Sequence, residues 1–171
     1  PQIYILPMDG GEARPVTNAP NGVGAFAWRP DGKAFAYEMA DDAKNKTAID
    51  QHRDLFVVGD QDFISRAAPV PTHIWLQVID GGKPRKLTSG NWSLSGVLSW
   101  SQDRKYIAFA HLPDDYAGHD GHVHAAVLDV ATGKYTDITH GNIYSNAPQF
   151  APHSNDLLYV VGRENLWSFQ N

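Results

Sequence analysis

The sequence has no cysteine, which excludes disulfide staples and zinc ribbons and suits a cytosolic and a periplasmic protein equally. It has no apolar run near the roughly 20 residues that a spanning helix needs, so no membrane partner is expected. Basic residues are few, 14 Lys and Arg against 19 Asp and Glu for a net charge of −5, and they are scattered. A surface that tracks nucleic-acid phosphates needs them clustered, so a nucleic-acid partner is not expected. No helical period of any length is present. No leader is expected at this start either: Pro1-Gln2-Ile3-Tyr4 reads as the start of a strand, and a first residue other than Met predicts that upstream sequence has been removed. What remains is 42% hydrophobic and 19% charged over 171 residues, the composition of a globular chain with a substantial core.

Two repeated units run through the chain. The first is Ile3-Tyr4-Ile5-Leu6-Pro7-Met8-Asp9-Gly10-Gly11, then Ala13-Arg14-Pro15-Val16-Thr17. It returns as Ile74-Trp75-Leu76-Gln77-Val78-Ile79-Asp80-Gly81-Gly82 followed by Pro84-Arg85-Lys86-Leu87-Thr88. It returns again from Val123 to Thr139, where His124 falls at the position of Tyr4 and Trp75. Each copy reads as a strand, a Gly-containing turn and a short second strand. The second unit is Phe26-Ala27-Trp28-Arg29-Pro30-Asp31-Gly32-Lys33-Ala34-Phe35-Ala36-Tyr37, matched by Leu98–Phe109 and more weakly by Pro148–Val160. Its Pro-Asp-Gly supplies a turn, since Pro presets φ and Gly accepts φ > 0. The isolated tryptophans on repeat strands, Trp28, Trp75, Trp100 and Trp167, are expected in the core.

Two hairpins per repeat make a four-stranded antiparallel sheet, and radial repetition of such sheets is a β-propeller. The predicted fold is all-β, a partial propeller of about three to four blades. Residues 1–17 form a half blade and 23–88 a blade with an insertion at 39–72. Residues 97–139 form a blade with an insertion at 111–121, and 146–171 an incomplete blade with a strand at 165–169. Closed propellers have about 4–8 blades, so the chain is expected to be a fragment of a larger ring. Its open blade edges invite pairing with another chain, either the missing part of the ring or a further copy.

Both long insertions join the second strand of a blade to the third, so they emerge on one face of the disc. Long loops in compact domains are usually functional. In the first, Asp41-Asp42-Ala43-Lys44 reads as solvated. Further on, Asp60, Asp62 and Phe63 are candidates to reach the axis and receive a substrate, with the two carboxylates suited to a cationic amine. In the second, His111, Asp114, His119, Asp120, His122 and His124 crowd together. His119, Asp120 and His122 are weak candidates for a metal, but their spacing fits no metal-site pattern, and neither metal nor cofactor is expected.

Catalytic machinery is missing. No Gly-x-Ser-x-Gly elbow occurs, and Trp92-Ser93-Leu94-Ser95-Gly96 lacks the first Gly and sits between blades. The Gly pairs lie in strand-to-strand turns rather than before helices, so no phosphate cradle is formed.

The repeat units resemble the WD40-like repeats of TolB-type propellers. More narrowly, Phe56–Phe63, Ala67–Leu76 and Leu87–Leu94 are similar to the N-terminal propeller of bacterial prolyl-oligopeptidase-family serine peptidases, in the dipeptidyl and acylaminoacyl branch. That resemblance implies a seven- or eight-bladed parent propeller capping a C-terminal α/β-hydrolase domain and restricting access to short peptides. The partners it implies are the rest of the propeller, that hydrolase and a peptide substrate. It also implies export to the periplasm or beyond. The triad would lie outside this chain, and the Glu-Glu pair that some dipeptidyl peptidases use to bind a free amine is absent. Two alternatives are a TolB-type protein-binding module without a hydrolase, and a metal-dependent propeller enzyme using the histidine cluster.

Overall fold

The computed structural model describes residues 1–53, 55, 68, 70–114, 122–141 and 143–163. Their strands form four antiparallel sheets in chain order. β1 (Tyr4–Ile5) and β2 (Arg14–Pro15) make a first hairpin. β3 (Phe26–Trp28), β4 (Ala34–Ala40), β5 (Thr72–Val78) and β6 (Arg85–Lys86) make a four-stranded sheet. β7 (Ser93–Trp100), β8 (Tyr106–Leu112), β9 (His124–Asp129) and β10 (Tyr135–Asp137) make a second, and β11 (Ile143–Phe150) with β12 (Leu157–Arg163) makes a last hairpin. This is the all-β partial propeller that the repeats predict. A single helical turn, α1 (Lys46–Asp50), lies in the β4–β5 connection; five residues are too few to show a period.

The central strands explain how the sheets stack. β4 alternates large and small side chains and is covered on both faces. Phe35, Tyr37 and Met39 pack with Ile3 and Val16 of the first hairpin, while Ala36 joins Trp100, Ile107 and Phe109 of the next sheet. β8 repeats the scheme: Ile107 and Phe109 face back, and the fully buried Ala108 and Ala110 occupy the opposite face of the strand. β4 and β8 thus each present their large side chains to the sheet before and their alanines to the sheet after. Burial on both faces is why these strands read as nearly continuous apolar runs.

The same rule corrects the expectation for Trp28. Trp28 and Trp100 hold equivalent places, pairing with Phe35 and Ile107 in register. Trp100 is only 7% exposed and its Nε1–H donates to the Ala27 carbonyl at 3.1 Å, because β3 covers it. Trp28 is 48% exposed, because the sheet before it contributes only two strands. Trp167 lies outside the described residues.

The Thr that ends each first unit has a defined task. The Ile3, Ile74 and Ala125 N–H groups donate to Thr17, Thr88 and Thr139 Oγ1 at 2.8, 3.0 and 3.0 Å. Each hydroxyl satisfies a backbone donor where the short outer strand runs out. Thr88→Val keeps the shape and leaves the buried Ile74 N–H without its acceptor. It is expected to cost about 1–2 kcal/mol in urea unfolding, with Thr88→Ser close to wild type. These bonds also fix the true repeat register. Ala125 is equivalent to Ile74, so His124 matches His73 and not Trp75. The third copy therefore stands two residues from the register its sequence suggests, since it lacks the aromatic that marks the other two.

Turn chemistry is local and repeats faithfully. In the β3–β4 turn, Asp31 accepts from Arg29 Nε at 2.8 Å and from the Lys33 N–H at 3.1 Å. The Arg29 hydrogen bond above all holds the Asp31 carboxyl well below the usual carboxylate range. Arg104 of the next sheet also reaches Asp31, at 3.3 Å. Arg104 itself sits at φ 66°, the place that Gly32 fills at 69° in the previous turn. At the other hairpin, Gly81 and Gly82 take φ of 105° and 98° in succession, which a side chain resists.

Candidate functional site

One end of the stack gathers three connections around an open cleft of about 540 Å³. The β4–β5 insertion supplies Asp41, Asp42 and Asn45, the β6–β7 connection supplies Gly90 and Asn91, and the β8–β9 insertion supplies Asp114. The two insertions therefore do share a face. Cross-sheet hydrogen bonds fix the root of the first insertion to the start of β7: the Thr72 N–H donates to Ser93 Oγ at 3.1 Å, and the Leu94 N–H to Thr72 Oγ1 at 2.9 Å. The Asp41 N–H closes the neck of the first insertion on the Pro71 carbonyl at 2.8 Å.

Asp41 is the charged hub of this rim. Its Oδ1 lies 2.5 Å from Lys86 Nζ and 3.1 Å from Nδ1 of the fully buried His73. Burial alone would raise the Asp41 carboxyl. Lys86 and His73 outweigh it and leave the group below its ordinary value. Lys86 also stands over the Trp75 ring, 5.8 Å from its centroid. Asp41 is thus partly buried and paired rather than solvated as its sequence context suggested. Asp42 accepts from Asn21 Nδ2 at 3.0 Å.

Beneath the rim lies an aromatic joint centred on Trp92. Its ring meets His73 at 5.1 Å, His111 at 5.2 Å, Tyr135 at 5.4 Å and Phe109 at 5.5 Å between centroids. Its Nε1–H donates to the Ser89 carbonyl at 3.1 Å. Gly90 permits this close approach, since a Cβ there would stand 2.7 Å from Trp92 Cδ1. His111 Nε2 lies 2.9 Å from Asp137 Oδ1, and His124 Nδ1 3.1 Å from the Thr139 carbonyl. Burial, with Asp137 close by, raises the Tyr135 phenol above its ordinary value. His111 and His124 are therefore ring-packed framework groups.

Of the candidates named from sequence, Asp60, Asp62, Phe63, His119 and Asp120 lie outside the described residues. His122 is half-buried just before β9. Among the described residues no cluster of three or more His, Asp or Glu has the geometry to hold a metal ion. Sequence reasoning missed Asp41, His73, Lys86 and the central place of Trp92. Their partners lie up to 45 residues away along the chain, so no local spacing announces them.

No protein-family model matches the chain. It is 31% identical over 121 residues to the Uncharacterized peptidase YuxL of Bacillus subtilis (strain 168), an alignment covering 64% of this chain and 18% of that protein. Solved structures extend the likeness to nearly the whole chain. A protein assigned as TolB from Agrobacterium tumefaciens superposes with a TM-score of 0.60 at 22% identity, over 97% of this chain and 47% of that one. TolB from Acinetobacter baumannii gives 0.60 at 19% identity, over 96% and 33%. The fold is TolB-like.

At these identities the solved structures establish the fold alone, and the chain spans less than half of each relative. The TolB-like arc is thus distantly related to one protein named a peptidase. Its cleft lies where the blade connections meet.

Proposed function

We propose that this chain is the non-catalytic propeller portion of a serine peptidase of the prolyl-oligopeptidase kind, in the dipeptidyl or acylaminoacyl branch. It gates and positions peptides for an α/β-hydrolase domain outside these 171 residues. The observation that carries the reading is the cleft at which both insertions and the β6–β7 connection converge. A gate needs a rim built from several blades at once, and its acidic side chains suit the amino end of a peptide. The relation to a named peptidase supports the same reading, as does the absence of a nucleophile elbow from this sequence. The remainder of the ring belongs to the same assembly.

Fluorophosphonate labelling of the longer protein that carries this chain tests the proposal. The expected result is covalent label on a serine outside residues 1–171. Asp42→Lys on the rim should raise KM for peptides several-fold while the small probe labels at the wild-type rate. A folded protein that takes no label points instead to a protein-binding propeller and overturns the proposal, as does label on a serine within this chain.

A further inference from the structure

The connection from β2 to β3 is anchored on both sides of a tight turn. Before the turn, Gln2 Nε2 donates to the Ala19 carbonyl at 2.8 Å, and its Oε1 accepts from the Ala19 N–H at 2.9 Å. Beyond it, the Gly24 N–H donates to the Glu38 carbonyl at 3.0 Å. Pro20 and Asn21 form the tip, closed by the Gly22 N–H on the Ala19 carbonyl at 3.1 Å. Asn21 is exposed, yet its side chain crosses to the end of β4. Nδ2 donates to the Ala40 carbonyl and to Asp42 Oδ1, both at 3.0 Å. Both amide hydrogens are thus spent on acceptors, one of them a carboxylate of the cleft rim. Asn21 also lines the hollows that share Asp41 and Asp42 with the cleft.

The residue that follows makes this amide reactive. Asn21 is the only asparagine that precedes a glycine, and the missing Cβ leaves the Gly22 nitrogen unshielded. We propose that Asn21 is a deamidation site whose conversion unlatches this connection from the cleft rim. The Gly22 nitrogen attacks Asn21 Cγ, the Cγ–Nδ2 bond breaks, and Nδ2 leaves as ammonia with the Gly22 proton. Water then opens the cyclic imide at either carbonyl, giving aspartate or its β-linked isomer. No other reagent is consumed. In the native turn the Gly22 N–H faces Ala19 and the amide is held by its acceptors, so the reaction starts from a local opening. Its product does not close in the same way. A carboxylate at position 21 meets the Ala40 carbonyl and the Asp42 carboxylate where the amide donated to both. The neutral amide is a one-way latch, set by the fold and released by water. The inference rests on the turn and its hydrogen bonds and not on the peptidase reading, and mass spectrometry tests it where labelling tests the other.

The longer protein that carries this chain, held for days in mildly alkaline buffer, should show by peptide mapping a mass gain at Asn21 that replaces NH with O. The native protein should convert several-fold more slowly than the urea-unfolded one. Asp42→Ala removes one acceptor and should convert several-fold faster than wild type. Asn21→Gln, whose longer side chain closes the imide poorly, should show no gain in the same peptide. Asn21→Asp reproduces the product. In hydrogen exchange at neutral pH, its residues 19–25 should exchange faster than those of Asn21→Ala, since it adds a repulsion where alanine only removes hydrogen bonds. Adding Asp42→Asn to Asn21→Asp should recover part of the protection by reversing donor and acceptor. No gain at Asn21, native conversion as fast as unfolded, or no acceleration by Asp42→Ala would each overturn the proposal. So would exchange in Asn21→Asp no faster than in Asn21→Ala, because the conversion would then release nothing.

Discussion

Trp92→Ala is expected to cost about 3–5 kcal/mol, the range for emptying a buried indole site. Against a typical total of about 5–15 kcal/mol, the variant should unfold at much lower urea or fail to accumulate folded. The reason is position more than size. Trp92 is the joint at which His73 of the first full sheet meets Phe109, His111 and Tyr135 of the second. Truncation opens a cavity across a seam, where neighbouring sheets cannot collapse inwards without breaking Thr72–Ser93 and Leu94–Thr72. Trp92→Phe should recover most of the loss, keeping a ring but forgoing the bond to Ser89. Equilibrium unfolding at fixed protein concentration reads both variants. If Trp92→Ala and Trp28→Ala cost the same, the indole at the joint contributes no more than one that is half exposed, and the account of the seam fails.

That contrast also marks what could be read from the sequence. Strand pairs and turns were legible because their causes are local. Asp-Gly-Gly accepts two positive φ angles in a row, and Trp-x-Pro-Asp-Gly carries its own hydrogen bonds within five residues. The alternation of Phe35, Ala36 and Tyr37 likewise states that both faces are covered. What could not be read is which sheet covers which residue. Trp28 and Trp100 occur in the same motif, yet one is exposed and the other buried, because burial depends on the preceding sheet having its inner strands. Trp92 sits between blades in no repeated motif, so nothing marked it as a hub. The third copy was aligned out of register for a related reason: with Ala126 where Trp75 would stand, the nearest ring, His124, was mistaken for its equivalent. Only the Thr hydroxyls, bonded to Ile74 and Ala125, give the frame.

The rim of the cleft illustrates the same point with charge. Asp41, His73 and Lys86 come from three different strands or their ends, and the carboxylate joins them only once β4, β5 and β6 are in register. In sequence Asp41-Asp42 resembles any solvated loop start. In the fold the two diverge: Asp41 accepts from the Lys86 ammonium and lies against the buried His73 imidazole, while Asp42 faces Asn21 and the cleft. The neck of the insertion is thereby fixed, and the residues above it can vary without disturbing the blade. This is the division between scaffold and loop that binding sites on rigid frameworks use.

Asp41→Asn should therefore destabilise the chain by about 2–3 kcal/mol at neutral pH, somewhat less than a fully buried pair because the site is partly hydrated. The substitution keeps the side chain's shape, so the loss reports charge. The pH dependence carries the sharper test. The Asp41 carboxyl is held below its ordinary value in the fold, so folding favours the ionised form. Its contribution is complete above the unfolded value of about 3.9 and is lost as pH falls through the lower folded one. Wild type should then lose its advantage over Asp41→Asn on acidification, the two stability curves converging below about pH 4. Lys86→Met should show a smaller loss with the same acid convergence, since it removes the stronger of the two partners that depress Asp41. Urea midpoints measured across the acid range decide the matter: a gap between wild type and Asp41→Asn that stays constant would mean that shape rather than charge holds the rim together.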